Sequence, residues 1–255
     1  MIEAEITNEI ICQLERDYQV LDLDINNDKN LFICRENKND GQRRILKFSK
    51  FLSVLCLGNK MIFCGDRRII DWCREQYYDY PVQWFSNFDN LKYLNDKLNQ
   101  YKYKINPYSH CYYIPSCLCN LGEIKYETKV LNSEQISSLT EKDVFKNSLF
   151  HNVFREEQMG MASYDNGKII ALIVATKKGN KIWEIAVDTR MEYRNRGIIG
   201  ELIRRMTNYL LEKGQIPIYG TSESNINSQR AIMKANYKPM WYELYTQRMT
   251  MTIDK

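Results

Sequence analysis

Glu184-Ile-Ala-Val-Asp-Thr-Arg-Met-Glu-Tyr-Arg-Asn-Arg-Gly-Ile-Ile-Gly200 reads as a strand, a short basic loop and the start of a helix. The run Lys181 to Val187 is rich in β-branched and aromatic residues, which favour a half-buried pleated surface. From Gly197 to Lys213 the apolar residues switch to helical spacing, with Ile198, Ile199, Leu202, Ile203, Met206 and Leu210 on one face, and Gly214 is placed to end the helix. The first backbone N–H groups of such a helix have no intrahelical partner, and the helix dipole points its positive end the same way. With Arg194 and Arg196 beside it, this start is a place for an anion, and a diphosphate fits it. The residues alone do not say which diphosphate.

Downstream, Ile216-Pro-Ile-Tyr-Gly220 reads as another strand, and Asn225-Ile-Asn-Ser-Gln-Arg-Ala-Ile-Met-Lys-Ala-Asn-Tyr237 as a loop and helix. Together the two stretches resemble the GNAT superfamily of N-acetyltransferases. Arg194 and Gly197 match its phosphate-loop motif, Arg/Gln-x-x-Gly-x-Gly/Ala, although Ile199 stands where the family has Gly or Ala and Gly200 follows one residue late. Asn225, Ser228 and Lys234 match its Asn-x-x-Ser-x-x-Leu-Tyr-x-Lys-x-Gly-Phe signature. Asn236 replaces the glycine at a position where Asn also tolerates a left-handed backbone, and Tyr237 replaces Phe. Two motifs in the right order, about 30 residues apart, are more specific than either one. The wording Glu184-Ile-x-x-Asp-Thr189 is most similar to the subgroup that includes the zwittermicin A resistance acetyltransferase.

The order of elements agrees with that resemblance. From Ile124 the sequence predicts a strand to Leu131, helices at Ser133–Leu139 and Glu141–Leu149, strands at Met159–Tyr164 and Lys168–Thr176 joined by the Asp165-Asn-Gly167 turn, and the strand Lys181–Val187. The expected architecture is α/β: a GNAT fold over residues 121–255, with a mixed, mostly antiparallel central sheet flanked by helices, preceded by a smaller α/β domain over residues 1–120. In that N-terminal part the patterns predict helices near Asn8–Asp17, Arg67–Gln76 and Asn90–Asn99. Strands are expected near Asn30–Arg35, Phe51–Leu57 and Lys60–Cys64, the last two joined at Gly58-Asn59. Pro107-Tyr-Ser-His-Cys-Tyr-Tyr-Ile-Pro115 reads as the crossing between the two regions. The crowd of aromatic residues from Tyr77 to Tyr113 is read first as packing between domains and second as a stacking surface for a substrate.

Composition narrows the function classes. With 44% hydrophobic and 27% charged residues the chain is an ordinary globular sequence, and no apolar run approaches the ~18 residues that span a bilayer. The acidic start Met1-Ile-Glu-Ala-Glu-Ile lacks the pattern of a signal peptide, so the expected location is the cytoplasm, with no membrane partner. A net charge of +4 is too mild to argue for nucleic acid, and Lys125, Lys129, Lys177, Lys178 and Lys181 form no continuous basic stripe. All eight cysteines lie in the first half, and in the cytoplasm they are expected to be reduced. Cys111, Cys117 and Cys119 beside His110 form the one close group, which falls short of a zinc pattern, and no metal site is expected.

The resemblance implies acetyl-CoA as acyl donor, held by Val187, Asp188, Thr189, Arg194, Asn195, Arg196, Gly197, Ile198, Ile199, Gly200, Asn225 and Ser228. In the family the pantetheine arm lies where the strand ending at Val187 splays from the one ending near Gly220, and backbone groups at Val187–Thr189 pair with it. Plain helix capping is the competing role for Asn225 and Ser228. Acyl transfer to an amine needs a route for the amine's proton, and alternation puts Glu184, Ala186 and Asp188 on one side of the strand, making Glu184 the first candidate base. A surface salt bridge is its competing role. The family often places a tyrosine donor for the departing thiolate after the leucine of the second motif, but that position is Ile232. Tyr242, Tyr245, Ser228 or water are the substitutes, although Met240-Trp-Tyr-Glu-Leu-Tyr245 also reads as a core pattern. The expected acceptor is the primary amine of a small molecule lodged between the two regions. The alternative is a GNAT-like module that binds acyl-CoA or a protein without turnover, and a homodimer is left open.

Overall fold

A computed structural model of the chain describes residues 2–36, 41–43, 51–108, 110–123, 125–149 and 158–249. The elements are α1 (Glu3–Tyr18), β1 (Leu31–Cys34), β2 (Leu52–Leu57), β3 (Lys60–Gly65), α2 (Arg67–Tyr77), α3 (Phe88–Asn99), β4 (Tyr103–Ile105), β5 (His110–Pro115), β6 (Glu127–Leu131) and α4 (Ser133–Ser137). They are followed by α5 (Lys146–Leu149), β7 (Gln158–Asp165), β8 (Lys168–Lys177), β9 (Ile182–Thr189), α6 (Ile198–Glu212), β10 (Ile216–Thr221), α7 (Ile226–Lys234) and β11 (Tyr237–Arg248). Two compact units divide the chain, one of residues Met1–Ile10 and Tyr112–Pro239, the other of Ile11–Cys111 and Met240–Lys255.

The first unit carries a mixed sheet in the order β5-β10-β9-β8-β7-β6. Its β6, β7, β8 and β9 pair antiparallel and β9 pairs β10 parallel. The β7–β8 turn is made by Asn166 and Gly167, both with positive φ (+48° and +75°), the two-residue geometry that Asn-Gly favours. Because β8 is buried on both faces, its sequence is a continuous apolar run from Ile169 to Ala175 rather than an alternating one. Leu172 and Val174 pack with Ile136 of α4, Leu149 of α5 and Phe145 just before α5, and α6 lies against β7 to β10. The α4 start is fixed by a capping box, with Asn132 accepting from the Gln135 N–H and Gln135 accepting from the Asn132 N–H.

In the second unit the sheet order is β1-β3-β2-β11, with β4 on the far side of β11. Only the β1–β3 pair is parallel among those described. Helices α2 and α3 bury Ile69, Ile70, Cys73, Tyr77, Leu94 and Leu98 against Leu52, Val54, Met61, Phe63 and Leu244. Of the aromatic crowd, Tyr77 and Phe85 are buried inside this core, where Phe63 stacks on Tyr77 at 5.1 Å and meets Phe85 edge-on at 5.8 Å, whereas Tyr78, Trp84, Phe88, Tyr93 and Tyr108 are exposed. Arg43 is buried between the carboxylates of Asp17 and Glu243, and Tyr18 donates to Glu243 at 3.1 Å. Burial opposes the Arg43 charge, but the two carboxylates outweigh it and hold the guanidinium well above its ordinary range.

Several expectations shift at their edges. Helix α1 begins five residues before Asn8, with Glu3 and Glu5 favourably placed in its first turn. The helix expected over Glu141–Leu149 is formed only by Lys146–Leu149. The Pro107–Pro115 crossing contains a strand, β5, which lies beside β10, and Ile124, the expected start of β6, is outside the described residues.

Candidate active site

Strands β9 and β10 run parallel for three residue pairs, Ile182↔Ile216, Trp183↔Pro217 and Glu184↔Ile218. No further β9–β10 pair follows among the described residues, although β9 continues to Thr189 and β10 to Thr221. The opposite edge of β9 stays paired throughout, with Val187, Asp188 and Thr189 matched to Ile173, Leu172 and Ala171 of β8. The sheet therefore forks just past Glu184, and one edge of Ile185 to Thr189 faces the opening, about 16 Å of extended backbone at strand rise.

The fork leads into the basic loop. Its start is tied down by buried Arg190, whose Nε donates to the Ile169 carbonyl and whose guanidinium pairs with Glu141 and lies 5.4 Å over the Phe145 ring. Tyr193 donates to Asp165 at 2.7 Å, fixing the loop to the β7–β8 turn, and that bond holds the phenol above its ordinary range. Arg194 donates weakly to the Thr189 carbonyl at 3.4 Å, and Arg196 donates to the Glu192 carbonyl at 2.9 Å while resting on the Tyr193 ring at 4.9 Å. Both arginines are exposed. Asn195 (φ +61°) and Gly197 (φ +80°) take left-handed backbone on either side of Arg196. A Cβ on Gly197 would meet nothing within 4 Å, so conformation and not space calls for glycine there.

Helix α6 starts at buried Ile198 with no side-chain cap on Gly197, leaving its first N–H groups to an outside acceptor. Ile199 and Gly200 are half-buried in this first turn. A Cβ on Gly200 would lie 3.6 Å from the Arg204 guanidinium, an ordinary contact, so the late glycine does not open a deeper cradle. The one acid of the first turn, Glu201, is turned away from a would-be anion by Arg204 (2.8 Å), Arg205 (2.9 Å) and the Gly122 N–H (3.1 Å). These features fit a diphosphate.

At the closed end of the fork, Glu184 is half-buried on the face expected from alternation, while Trp183 and Ile185 are buried on the other. A Cβ on Gly220 would lie 3.1 Å from Glu184 Oε1 and 3.0 Å from Tyr112 Cε1, so the carboxylate and the buried phenol ring converge over a glycine of β10. Asp188, on the same side of β9, is bound by Asn147 Nδ2 and the Ser148 N–H, both at 2.7 Å. Asn225 caps α7, its Oδ1 accepting from the Ser228 N–H at 3.2 Å, which is the capping role weighed for it. Ser228 also meets the Tyr219 hydroxyl at 2.5 Å. Ile232 is fully buried, so the position where the resemblance expects a tyrosine belongs to the core.

All the proposed donor-binding residues and Glu184 lie in the first unit, whereas Tyr242 lies in the second, paired opposite Cys56 of β2 and packed against that unit's core. Tyr112, Tyr219, Asn147 and Ser148 were missed by the sequence reading. Gly220 was the available signal, because glycine inside a strand marks a close approach of another group. Among the described residues no group of three or more His, Cys, Asp or Glu side chains could hold a metal, and no helix is long and apolar enough to cross a membrane.

A family model described as GNAT acetyltransferase matches residues 75–239, well over half of the chain. No curated protein matches it. Among solved structures it is similar to a GNAT-family acetyltransferase from Colwellia psychrerythraea (15% identity, 57% of each chain covered, TM-score 0.41). It is also similar to a GCN5-related N-acetyltransferase from Kribbella flavida (12% identity, 64% of this chain and 65% of that one, TM-score 0.45). A GCN5-related N-acetyltransferase-like protein from Streptococcus suis is similar over 96% of this chain and 99% of that one, at 12% identity and TM-score 0.47. The chain thus spans less than two thirds of the first two of these proteins.

Proposed function

Because the chain belongs to the GNAT acetyltransferase family, we propose that it transfers an acetyl group from acetyl-CoA to the primary amine of a small molecule in the cytoplasm. The observation that carries this is the fork: the β9–β10 ladder ends at Glu184, and β9 then runs into a left-handed, doubly basic loop at a helix start. The Glu184-Ile-x-x-Asp-Thr189 wording supports a relation to the subgroup that includes the zwittermicin A resistance acetyltransferase.

Acetyl-CoA supplies a thioester whose carbonyl carbon accepts the amine. The chain's own residues do the rest. Arg194, Arg196 and the N–H groups of Gly197 to Gly200 bind the diphosphate, and the open edge of Val187 to Thr189 pairs with amide groups of the pantetheine arm. Asn225, with Oδ1 committed to the helix cap, has its Nδ2 donor for the same arm. Glu184 takes a proton from the attacking amine, oriented by its seat against Gly220 and Tyr112.

A panel of small primary amines assayed by thiol release from acetyl-CoA tests the reaction. Glu184→Gln is expected to lower turnover by about 10²- to 10⁴-fold with acetyl-CoA affinity unchanged. An undiminished rate would remove Glu184 as the base. A second reading, binding without turnover, is favoured by buried Ile232 at the position of the family's usual thiolate donor. Acetyl-CoA binding with no thiol release from any amine would favour it.

A further inference from the structure

Two hydroxyls meet where β9 and β10 part. Tyr219 is the first residue of β10 beyond the last paired position, Ile218, and it is buried. Its Oη lies 2.5 Å from Oγ of Ser228, which is partly exposed in the first turn of α7. Two hydroxyl groups carry two protons, and the bond between them uses one. Whichever group donates, one O–H is left over, and no acceptor takes it among the described residues. With Ser228 donating, the spare O–H is that of the buried phenol, and a buried donor without a partner is costly; with Tyr219 donating, it is that of the partly exposed Ser228.

The position says which group would accept from the spare O–H. Parallel pairing puts Ile218 on the same face as Glu184, and Gly220 joins them, so alternation sends Tyr219 to the opposite face. At one level of the fork the chain presents a carboxylate on one side and a spare O–H on the other. An attacking amine and a departing sulfur need this opposed pair, a base for the first and a donor for the second.

We propose that Tyr219 and Ser228 together are the proton donor to the thiolate that leaves the acyl donor, a role that rests on the acetyl-transfer reading above. The amine nitrogen forms its bond to the thioester carbon and gives a proton to Glu184. The carbon–sulfur bond then breaks with its electron pair on sulfur, and the spare O–H of the pair delivers a proton there, so that coenzyme A leaves as the thiol. Ser228, open to the outside, recovers the proton from water, and Glu184 returns its own. Burial and the nearby Asp188 raise the Tyr219 pKa while the Ser228 bond lowers it in part, and the net rise keeps the phenol protonated through the neutral range.

The test uses the full chain and compares coenzyme A with desulfo-coenzyme A, which lacks the thiol, by calorimetry between about pH 7.5 and pH 9.5, with acetyl-CoA as control. A donor facing the sulfur favours the thiolate, so the wild type should gain about tenfold in affinity for coenzyme A over the desulfo form as pH rises. Tyr219→Phe/Ser228→Ala should lose that gain. Both hydroxyls are removed because either alone still has a proton to give. The double variant's far-ultraviolet circular dichroism and cooperative thermal melt report that it is folded. A flat ratio in the wild type, which needs no variant, overturns the assignment, as does a gain kept by the double variant. If the wild type binds neither acetyl-CoA nor coenzyme A, the acetyl-transfer reading falls and this role with it; binding with a flat ratio removes this role alone.

Discussion

Gly220 sets how closely Glu184 and Tyr112 approach one another at the fork. Its φ is unexceptional, so alanine is conformationally acceptable, but the new Cβ would press on Tyr112 at 3.0 Å and on Glu184 Oε1 at 3.1 Å. The Tyr112 ring is buried and has little room to give, so the carboxylate is the group that moves. Gly220→Ala is therefore expected to lower turnover by about tenfold or more, because small displacements of a catalytic group are felt strongly in the rate. The destabilisation should stay within about 1–3 kcal/mol, the usual range for overpacking. Thiol-release kinetics beside a denaturant midpoint would check both. Gly197 is the contrasting case, since open space surrounds it and only its φ of +80° resists a side chain.

The loop from Arg190 to Gly197 is an element whose shape depends on anchors at a distance. Tyr193 reaches Asp165 and Arg190 reaches Glu141, so the arginines that would meet a diphosphate stand on a braced turn. Tyr193→Phe keeps the ring under Arg196 and removes one brace. It is expected to weaken acetyl-CoA binding about threefold while leaving the unfolding temperature within about 2 °C, measured by calorimetry and thermal melts. Local patterns in the sequence made this element readable: β9 by its β-branched run, α6 by its spacing, the β7–β8 turn by Asn166-Gly167, and the left-handed Asn236 (φ +66°) by its place after α7. The braces were not readable, because Tyr193 and Asp165 are 28 residues apart and nothing in their spacing encodes the contact. Strand β5 escaped because Pro107 precedes it and Pro115 is its last residue, and proline reads as a break; the Tyr219–Ser228 and Tyr112–Gly220 approaches escaped because they join separate elements.

Across the whole molecule, buried titratable groups set the alkaline limit of stability. Burial pushes the thiol of Cys64 to about 11 from an ordinary 9.0, with Arg35 pulling it down in part, and pushes that of Cys119 to about 11 as well. A folded-state pKa above the unfolded value means stability that is complete below pH 9.0 and lost as pH rises toward about 11, because only the unfolded chain ionises freely there. Cys64, fully buried, should account for about 2–3 kcal/mol of that loss, and Cys64→Ala should flatten the corresponding part of a stability–pH curve from urea melts. The two thiols lie in different units, so both should feel the limit. The fork and its basic loop are the proposed seat of an acyl-CoA. Titrating acetyl-CoA into the full chain by calorimetry, with ATP and the Arg196→Glu variant as controls, tests it most directly. Saturable binding of acetyl-CoA to the wild type, with none of ATP and none to Arg196→Glu, is the predicted result; no binding of acetyl-CoA, or equal binding of ATP, would contradict it.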